Sequence, residues 1–376
     1  MMRRRAAAWM LGLIVLAMVV AWMLRPAADR AVPRADAKDM SVEAPAVRPQ
    51  SVAPGVAEEE ATSSDLTSPQ HRAKLAALQD YRAWLAERLA AEDTARSLAL
   101  AVHLLTFGHG YDPSEARADL DPRVPRWLAR ARAIAGDDGV AWAMLVSVPG
   151  GLVRPSGEFT EGLVLDWAGH DPHNLAPWLY LPGDAVEPEA WLERARSPHA
   201  HFTLHWLDAQ AVVLDAYRRY PPPPEMRTHL PDGSEWKEGG YPLGLADPIR
   251  LPAFQRVTAA CRTRGQRAHS PLGCAELGRV MITRSDSLIA SSIGTVLARD
   301  AAPGRALPPD LRAEQRRMRW VWERYLALDP ARTEALWSEY LAEPMPLNEE
   351  GVFLFTLERE GVRTTPPRGW DPPEPR

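Results

Sequence analysis

The chain has 376 residues, a formal net charge of −5, and 25% charged against 46% hydrophobic residues. No stripe of lysine or arginine stands out, so the composition argues against a nucleic-acid partner. The sequence also lacks GxSxG, a Walker A loop and a GxGxxG placed before a strand, which leaves it without a familiar catalytic or nucleotide-binding signature.

Residues 1–25 are predicted to be a signal anchor. Three arginines precede an uncharged run over residues 6–24. As a helix this run would be about 28 Å long, close to the thickness of the bilayer hydrocarbon core. Trp9 and Trp22 stand near its two ends, where indole rings favour the membrane interface.

An uncleaved anchor is favoured over a cleaved signal peptide, because the apolar run is long and the clearest small-x-small triplet, residues 35–37, lies far downstream. Residues 19–21 keep cleavage open as an alternative, and a non-membrane segment is a third. The arginines at residues 3–5 place the N-terminus inside and the chain after Arg25 outside the cytoplasmic membrane. In a Gram-negative bacterium that space is the periplasm.

Residues 26–68 are predicted to form a disordered stalk. They are rich in Ala, Pro, Val and charge and contain no aromatic residue, so they cannot bury enough apolar surface to offset the entropy of ordering. A flexible chain of this length reaches roughly 35–40 Å.

The region 69–361 is predicted to be all-α. Apolar residues recur at three- and four-residue spacing over 71–93 and 310–328, and strand signals are scarce. Residues 348–361, NEEGVFLFTLEREG, are interpreted as a capped helix rather than a strand. The expected architecture is a set of antiparallel helix pairs, either repeat-like or irregular.

Three places share a pattern in which a helix end is followed by Asp, a few polar residues and a Trp that opens the next helix. Two of them contain an Asp-Pro pair that favours a helix start: Asp171-Pro172 with Asn174 and Trp178, and Asp329-Pro330 with Ala335 and Trp337. Asp171 is expected to cap its helix, with His170 and His173 at the surface.

On these residues the chain resembles tetratricopeptide-like helical-repeat proteins over about a third of its length, although the family's regular Gly, Tyr, Ala and Pro positions are not matched. The resemblance implies stacked helix pairs with a concave surface for peptides or proteins. The alternative is an irregular helical domain whose helices begin at Asp-Pro.

Two segments are predicted to lie outside the helices. The Pro- and Gly-rich loop 220–249 is long enough to be functional or disordered. It carries Trp236 and Tyr241, which we interpret as candidate binding residues because aromatic side chains on loops can anchor a partner. The tail 362–376 is Pro-rich and expected to be extended.

Cys261 and Cys274 are the two cysteines of the chain. They are predicted to form a disulfide that pins a helical hairpin, because the exported compartment is oxidising. Closing this loop contributes about 3 kcal/mol in the chain-entropy model. Inert thiols, or a metal or catalytic role, are the alternatives. The absence of CxxC pairs disfavours zinc and redox chemistry.

His201, His205 and Asp208 stand at i, i+4 and i+7, which would place them on one helical face. Such a face could hold Zn, Fe or Mn. The glutamate of an HExxH protease is missing, and a solvated polar face is the alternative.

The function predicted from these observations is that of a protein- or peptide-binding adaptor in the bacterial cell envelope. It would contact the lipid bilayer through residues 6–24 and an envelope protein or peptide through its helical domain, with no cofactor. The alternative is a metal-dependent envelope hydrolase that uses His201, His205 and Asp208.

Overall fold

The computed structural model describes most of the predicted helical region. Its described residues are 69–106, 121–148, 158–181, 188–227, 249, 251–252, 254–262, 271–302, 306–344 and 346–370. The predicted membrane helix (6–24), the predicted stalk (26–68) and both loop aromatics, Trp236 and Tyr241, lie outside them. Within the described ranges, no helix combines the length and apolarity needed to cross a bilayer.

The prediction of an all-α domain is confirmed for the part of the chain that the structure describes, which contains 14 α-helices and no β-strand. In chain order they are α1 (Pro69–Ala91), α2 (Ala95–Thr106), α3 (Arg123–Ile134), α4 (Gly139–Ser147), α5 (Glu158–His170), α6 (Pro188–Arg194), α7 (Trp206–Arg219), α8 (Pro224–Arg227), α9 (Phe254–Arg262), α10 (Pro271–Thr283), α11 (Leu288–Ala301), α12 (Pro309–Leu326), α13 (Pro330–Tyr340) and α14 (Glu349–Arg359). A short 3-10 helix spans Pro177–Leu179.

The helices α1 and α12 follow the apolar stripes predicted for them. Tyr81, Leu85 and Leu89 of α1 are buried at four-residue spacing, as are Val321 and Tyr325 of α12. Burying one large apolar side chain stabilises the fold by about 1.5–3 kcal/mol, so each stripe fixes the face that its helix turns inward.

Side-chain caps begin two of the helices. The Asp138 carboxylate accepts hydrogen bonds from the N–H groups of Val140 at 3.1 Å and Ala141 at 3.2 Å, and so starts α4. The Asn348 side chain accepts one from Gly351 at 2.6 Å and starts α14. The capped helix predicted over residues 348–361 is therefore confirmed.

The two Asp-Pro pairs behave differently. Pro330 starts α13, and the carbonyl of Asp329 accepts the Thr333 N–H at 3.0 Å. The helix start predicted at Pro172 is wrong: after α5 ends, residues 171–176 form bends and turns with a β-bridge at Asn174. The reason is tertiary, because the Asp171 carboxylate is used by an imidazole from a remote segment, as described below.

The helix α7 lies between two hydrophobic cores. Its Ala209 and Val213 face the main core, which is built from α1 to α11. Leu207 and Leu214 belong to a second core formed with α12, α13 and α14. The helix therefore presents an apolar face to each side, and its N-terminus is where the two cores meet.

Among the helices that the structure describes, α10 and α11 pack most extensively on each other. A Cβ atom on Gly278 would lie 2.6 Å from the backbone nitrogen of Ala298 and 2.7 Å from the carbonyl oxygen of Gly294. One on Gly294 would lie 2.7 Å from both the Gly278 carbonyl oxygen and the Met281 Cβ. The two backbones approach this closely only because neither residue has a side chain.

Cys261 and Cys274 form a disulfide with a Cα–Cα distance of 5.8 Å. The bridge joins the end of α9 to the first turn of α10, where Cys274 is buried. The predicted hairpin is wrong in one respect: α9 packs mainly on α11 rather than alongside α10. The bridge thus ties the first turn of α10 to a helix that packs on α11.

Residues 362–370 run across α12 without forming a helix, as predicted for the start of the tail. The Trp320 ring N–H donates to the carbonyl of Arg363 at 3.0 Å, and Arg316 donates to the carbonyl of Trp370 at 2.5 Å. The rings of Trp320 and Trp370 meet edge to face, 5.2 Å apart. This stretch covers one side of the second core.

Candidate functional site

Residues 200–205, here called the bridge segment, cross the centre of the molecule outside any helix. His201 forms a parallel β-bridge with Asn174, and Phe202 forms one with Ser285. Backbone hydrogen bonds of 2.9–3.4 Å hold the segment on both sides. Three stretches that are remote in the sequence therefore meet here.

The helix predicted over HAHFTLHWLD is wrong for the first part of that stretch. Ala200, Phe202 and Leu204 are fully buried, while the polar residues between them are partly exposed. Alternation with a period of two is typical of an extended chain that packs on one face. The same alternation of apolar and polar residues is visible in the sequence, and it indicates an extended segment rather than a helix.

The three residues predicted to bind a metal do not share a helical face. The helix α7 begins at Trp206, and His205 just before it has a left-handed φ of 57°. His201 pairs with Asp171, whereas His205 pairs with Asp208. Among the described residues, no group of three or more His, Cys, Asp or Glu is arranged to hold a metal ion. The helical geometry on which the metal hypothesis rested is therefore wrong.

His201 and Asp171 form a half-buried ion pair. The imidazole Nε2 lies 3.2 Å from the Asp171 carboxylate, and Nδ1 lies 3.4 Å from the carbonyl oxygen of His199. The hydrogen bond with Asp171 raises the pKa of His201 against the opposing effect of burial. Burial alone would raise the pKa of the Asp171 carboxyl group. The hydrogen bond with His201 and the charge of that imidazole have the larger combined effect, so the pKa of Asp171 is lowered. Both ring nitrogens of His201 are thus engaged as donors.

His205 and Asp208 form a second pair deeper in the molecule. The imidazole Nδ1 lies 3.0 Å from one Asp208 oxygen, and the other oxygen accepts the Leu347 N–H at 2.7 Å. Asp208 is 1% exposed. The imidazole packs against the first residue of α4, where a Cβ on Gly139 would lie 2.5 Å from Nε2. This pair connects α4, α7 and the approach to α14.

Asp286 and Glu349 complete a polar connection between the two cores. The Asp286 carboxylate accepts the N–H groups of Leu204 at 2.8 Å and His205 at 2.7 Å. The Glu349 N–H donates to the Asp286 carbonyl at 3.0 Å, and its carboxylate accepts the Leu288 N–H at 2.5 Å. Burial raises the pKa of Asp286, and it raises the pKa of Glu349 to about 7, with a further contribution from the charge of Asp286.

We call Asp208, Asp286 and Glu349 the carboxylate junction. Each of these side chains accepts at least one backbone N–H from a different part of the chain. Carboxylates held this way satisfy buried backbone donors, which are costly to leave unpaired. The arrangement is therefore that of a structural connection between cores.

Asn174 plays a similar part on the other side of the bridge segment. Its side chain donates to the Thr203 carbonyl at 3.0 Å and accepts the N–H groups of Thr203 at 3.1 Å and Ala176 at 3.0 Å. Sequence reasoning named Asn174 only within a repeat pattern and missed Asp286 and Glu349 altogether. No local signal marks the last two, because their partners lie far away in the sequence.

A shallow groove of about 390 Å³ opens on the surface between α1 and α8. Ala77, Asp80 and Ala83 line one side, and Glu225 and Met226 line the other. Its walls combine small apolar side chains with two exposed carboxylates. The chain continues from Arg227 into the stretch that carries the predicted binding residues Trp236 and Tyr241, which the structure does not describe.

Comparison with protein families, with curated proteins and with solved structures found no match to this chain.

Proposed function

We propose that this chain is a non-catalytic adaptor that binds a protein or peptide in the bacterial cell envelope. The groove between α1 and α8 carries the proposal, because it offers a concave apolar surface next to two carboxylates. The imidazoles and carboxylates at the centre of the molecule support it indirectly, since they are engaged in hydrogen bonds that hold the fold.

The chemistry of the groove favours a particular partner. Ala77 and Ala83 contribute small apolar side chains to its lining, and Asp80 and Glu225 contribute negative charge. A segment with small or aliphatic side chains and at least one Lys or Arg would complement both features. We therefore propose an extended or helical basic segment of another envelope protein as the occupant.

The compartment and the repeat architecture belong to the same proposal. Residues 6–24 would anchor the chain in the cytoplasmic membrane with the helical domain outside. The helices α1, α2 and α3 each pack on the next one in the chain, which supports a stack of helix pairs like that of tetratricopeptide-like proteins.

Site-specific photo-crosslinking in cells tests the proposed groove. A photoreactive amino acid replaces Ala83 in the full chain, and the matched control carries it at Arg126, an exposed position on α3. We expect a discrete crosslinked product from position 83 that position 126 does not give. Peptide mapping of the product should identify a segment that contains Lys or Arg.

The charge requirement is tested in the same assay. Asp80→Lys combined with Glu225→Lys should abolish the product, because both carboxylates would then repel a basic segment. The control reverses two exposed acids elsewhere, Asp137→Lys with Glu358→Lys, and should leave the product intact. Equal crosslinking from positions 83 and 126, or a product that survives the groove reversal, would refute the groove as the binding site.

A further inference from the structure

Two exposed histidines from different parts of the chain lie side by side. His173 follows α5, and His199 precedes the bridge segment. Their ring centres are 5.3 Å apart, with 53° between the ring planes. Neither ring was singled out as a ligand by the sequence pattern, because the 25 intervening residues hide their proximity.

Backbone hydrogen bonds fix the positions of both residues. The N–H of His201 donates to the carbonyl of His173 at 3.0 Å, and the N–H of Leu175 donates to the carbonyl of His201 at 2.9 Å. The N–H of His199 donates to the Ser197 hydroxyl at 3.3 Å. The two imidazoles are thus carried by paired, hydrogen-bonded backbone rather than by independent loops.

Both imidazoles are also uncommitted. Neither makes a hydrogen bond from its ring to another described residue. The contrast is His170 nearby, whose Nδ1 lies 3.2 Å from the Asp137 carboxylate and whose ring stacks on Trp142. His173 and His199 therefore have free nitrogen lone pairs when they are neutral.

The separation of the rings suits a shared metal ion. An ion about 2.0–2.1 Å from an imidazole nitrogen lies about 3.2 Å from the centre of that ring. Two imidazoles that each turn a nitrogen toward one ion, at an angle of about 110° at the metal, have ring centres about 5.3 Å apart, which is the separation of His173 and His199. Imidazole is a ligand that Zn²⁺, Cu²⁺ and Ni²⁺ accept readily.

We propose that His173 and His199 form a surface site for a divalent transition-metal ion that prefers nitrogen ligands. Since the described residues hold no cluster of three ligating side chains, water completes the coordination. Cu²⁺ binds most tightly of the three ions, following the usual order for nitrogen ligands. The metal site shares no residue with the groove, so this proposal does not depend on the proposed adaptor function.

Copper titration of the full-length chain, purified in detergent and stripped of metal, tests the site. Equilibrium dialysis gives the affinity, and electron paramagnetic resonance counts the coordinating nitrogens. We expect one Cu²⁺ bound with two imidazole nitrogens, displaced by excess Zn²⁺. His173→Ala and His199→Ala should each weaken binding by at least about tenfold, the lower end of the loss seen when even an outer-shell partner of a metal site is removed.

His170→Ala is the matched control, because it removes an exposed neighbouring imidazole that faces Asp137 instead. It should leave both the affinity and the spectrum unchanged. Because all three positions are on the surface, the variants are expected to keep the wild-type circular dichroism spectrum. Wild-type affinity in the double variant His173→Ala/His199→Ala, or a single coordinating nitrogen in the wild-type spectrum, would overturn the proposal.

Discussion

Glu349 places a titrating carboxyl group inside the carboxylate junction. The residue as a whole is partly exposed, but its carboxyl group is surrounded by protein, which raises its pKa to about 7. In the unfolded chain the same group titrates near 4.5. Between these two values the folded protein binds more protons than the unfolded chain. The contribution of Glu349 to stability is therefore full below about pH 4.5 and is lost as the pH rises through 7.

Glu349→Gln should remove this dependence. A glutamine keeps an oxygen that can accept the Leu288 N–H but carries no charge to desolvate. We expect the variant to differ least from the wild type near pH 5 and to be more stable at pH 8, by on the order of 3 kcal/mol for a shift of this size. Urea denaturation midpoints between pH 5 and 8 measure the difference.

The control for this prediction is Glu343→Gln, an exposed carboxylate in the loop before α14. It should shift the midpoints little at any pH. Parallel pH profiles for the wild type and Glu349→Gln would mean that the Glu349 carboxyl group is not the titrating one.

At the level of elements, a substitution in the contact between α10 and α11 tests whether these two helices can accommodate an added methyl group. Gly294→Ala would place a methyl group 2.7 Å from the Gly278 carbonyl oxygen, so the helices must separate. Overpacking of this kind costs about 1–3 kcal/mol. The loss should appear as a lower denaturation midpoint.

Gly169→Ala in α5 is the matched comparison, because nothing lies within 4 Å of its added Cβ. Here the better helix propensity of alanine should leave stability unchanged or raise it by up to about 1 kcal/mol. A similar effect of the two substitutions would show that α10 and α11 can move apart freely.

The helices that the sequence predicted well are those with strong local signals. The stripes in α1 and α12 were predicted from apolar residues at helical spacing, and Leu85 and Val321 are buried as expected. Asn348 marks a helix start because a cap needs only the next three residues. The all-α class follows from such signals, and so does the start of α13 at Pro330.

The centre of the molecule could not be predicted in the same way. The spacing of His201, His205 and Asp208 fits a helix, but Ala200, Phe202 and Leu204 also alternate. Backbone hydrogen bonds along both edges of the segment hold it in the extended form. Asp286 reaches a backbone donor 82 residues away, and Glu349 one 61 residues away. Such pairings depend on how helices pack, which composition and periodicity do not determine.

At the scale of the whole molecule, the disulfide makes stability depend on the compartment, because the bridge stabilises the fold and is expected to persist only where the surroundings are oxidising. The Cys261→Ser/Cys274→Ser variant should be less stable than the oxidised protein by about 3 kcal/mol. In cells treated with a membrane-permeant alkylating agent, neither cysteine of the wild type should react before reduction, because an oxidising compartment keeps the bridge closed.

The comparison protein is the same chain without residues 1–25, which should remain in the cytoplasm and be alkylated at both positions. Free thiols in the full-length chain would contradict the exported location. Equal stability of the oxidised protein and the serine variant would instead contradict the structural role of the bridge.

The carboxylate junction also bears on the order in which the chain folds. It pairs Leu204 with Asp286, and Asp208 with Leu347, across separations of 82 and 139 residues. Closing a loop of that size costs chain entropy before any contact is gained. Helices that are adjacent in the sequence, such as α10 and α11, close only a short loop and pack quickly. The helix pairs should therefore assemble early and the junction close late. Weakening the junction would then shorten the lifetime of the native state far more than it would delay its formation.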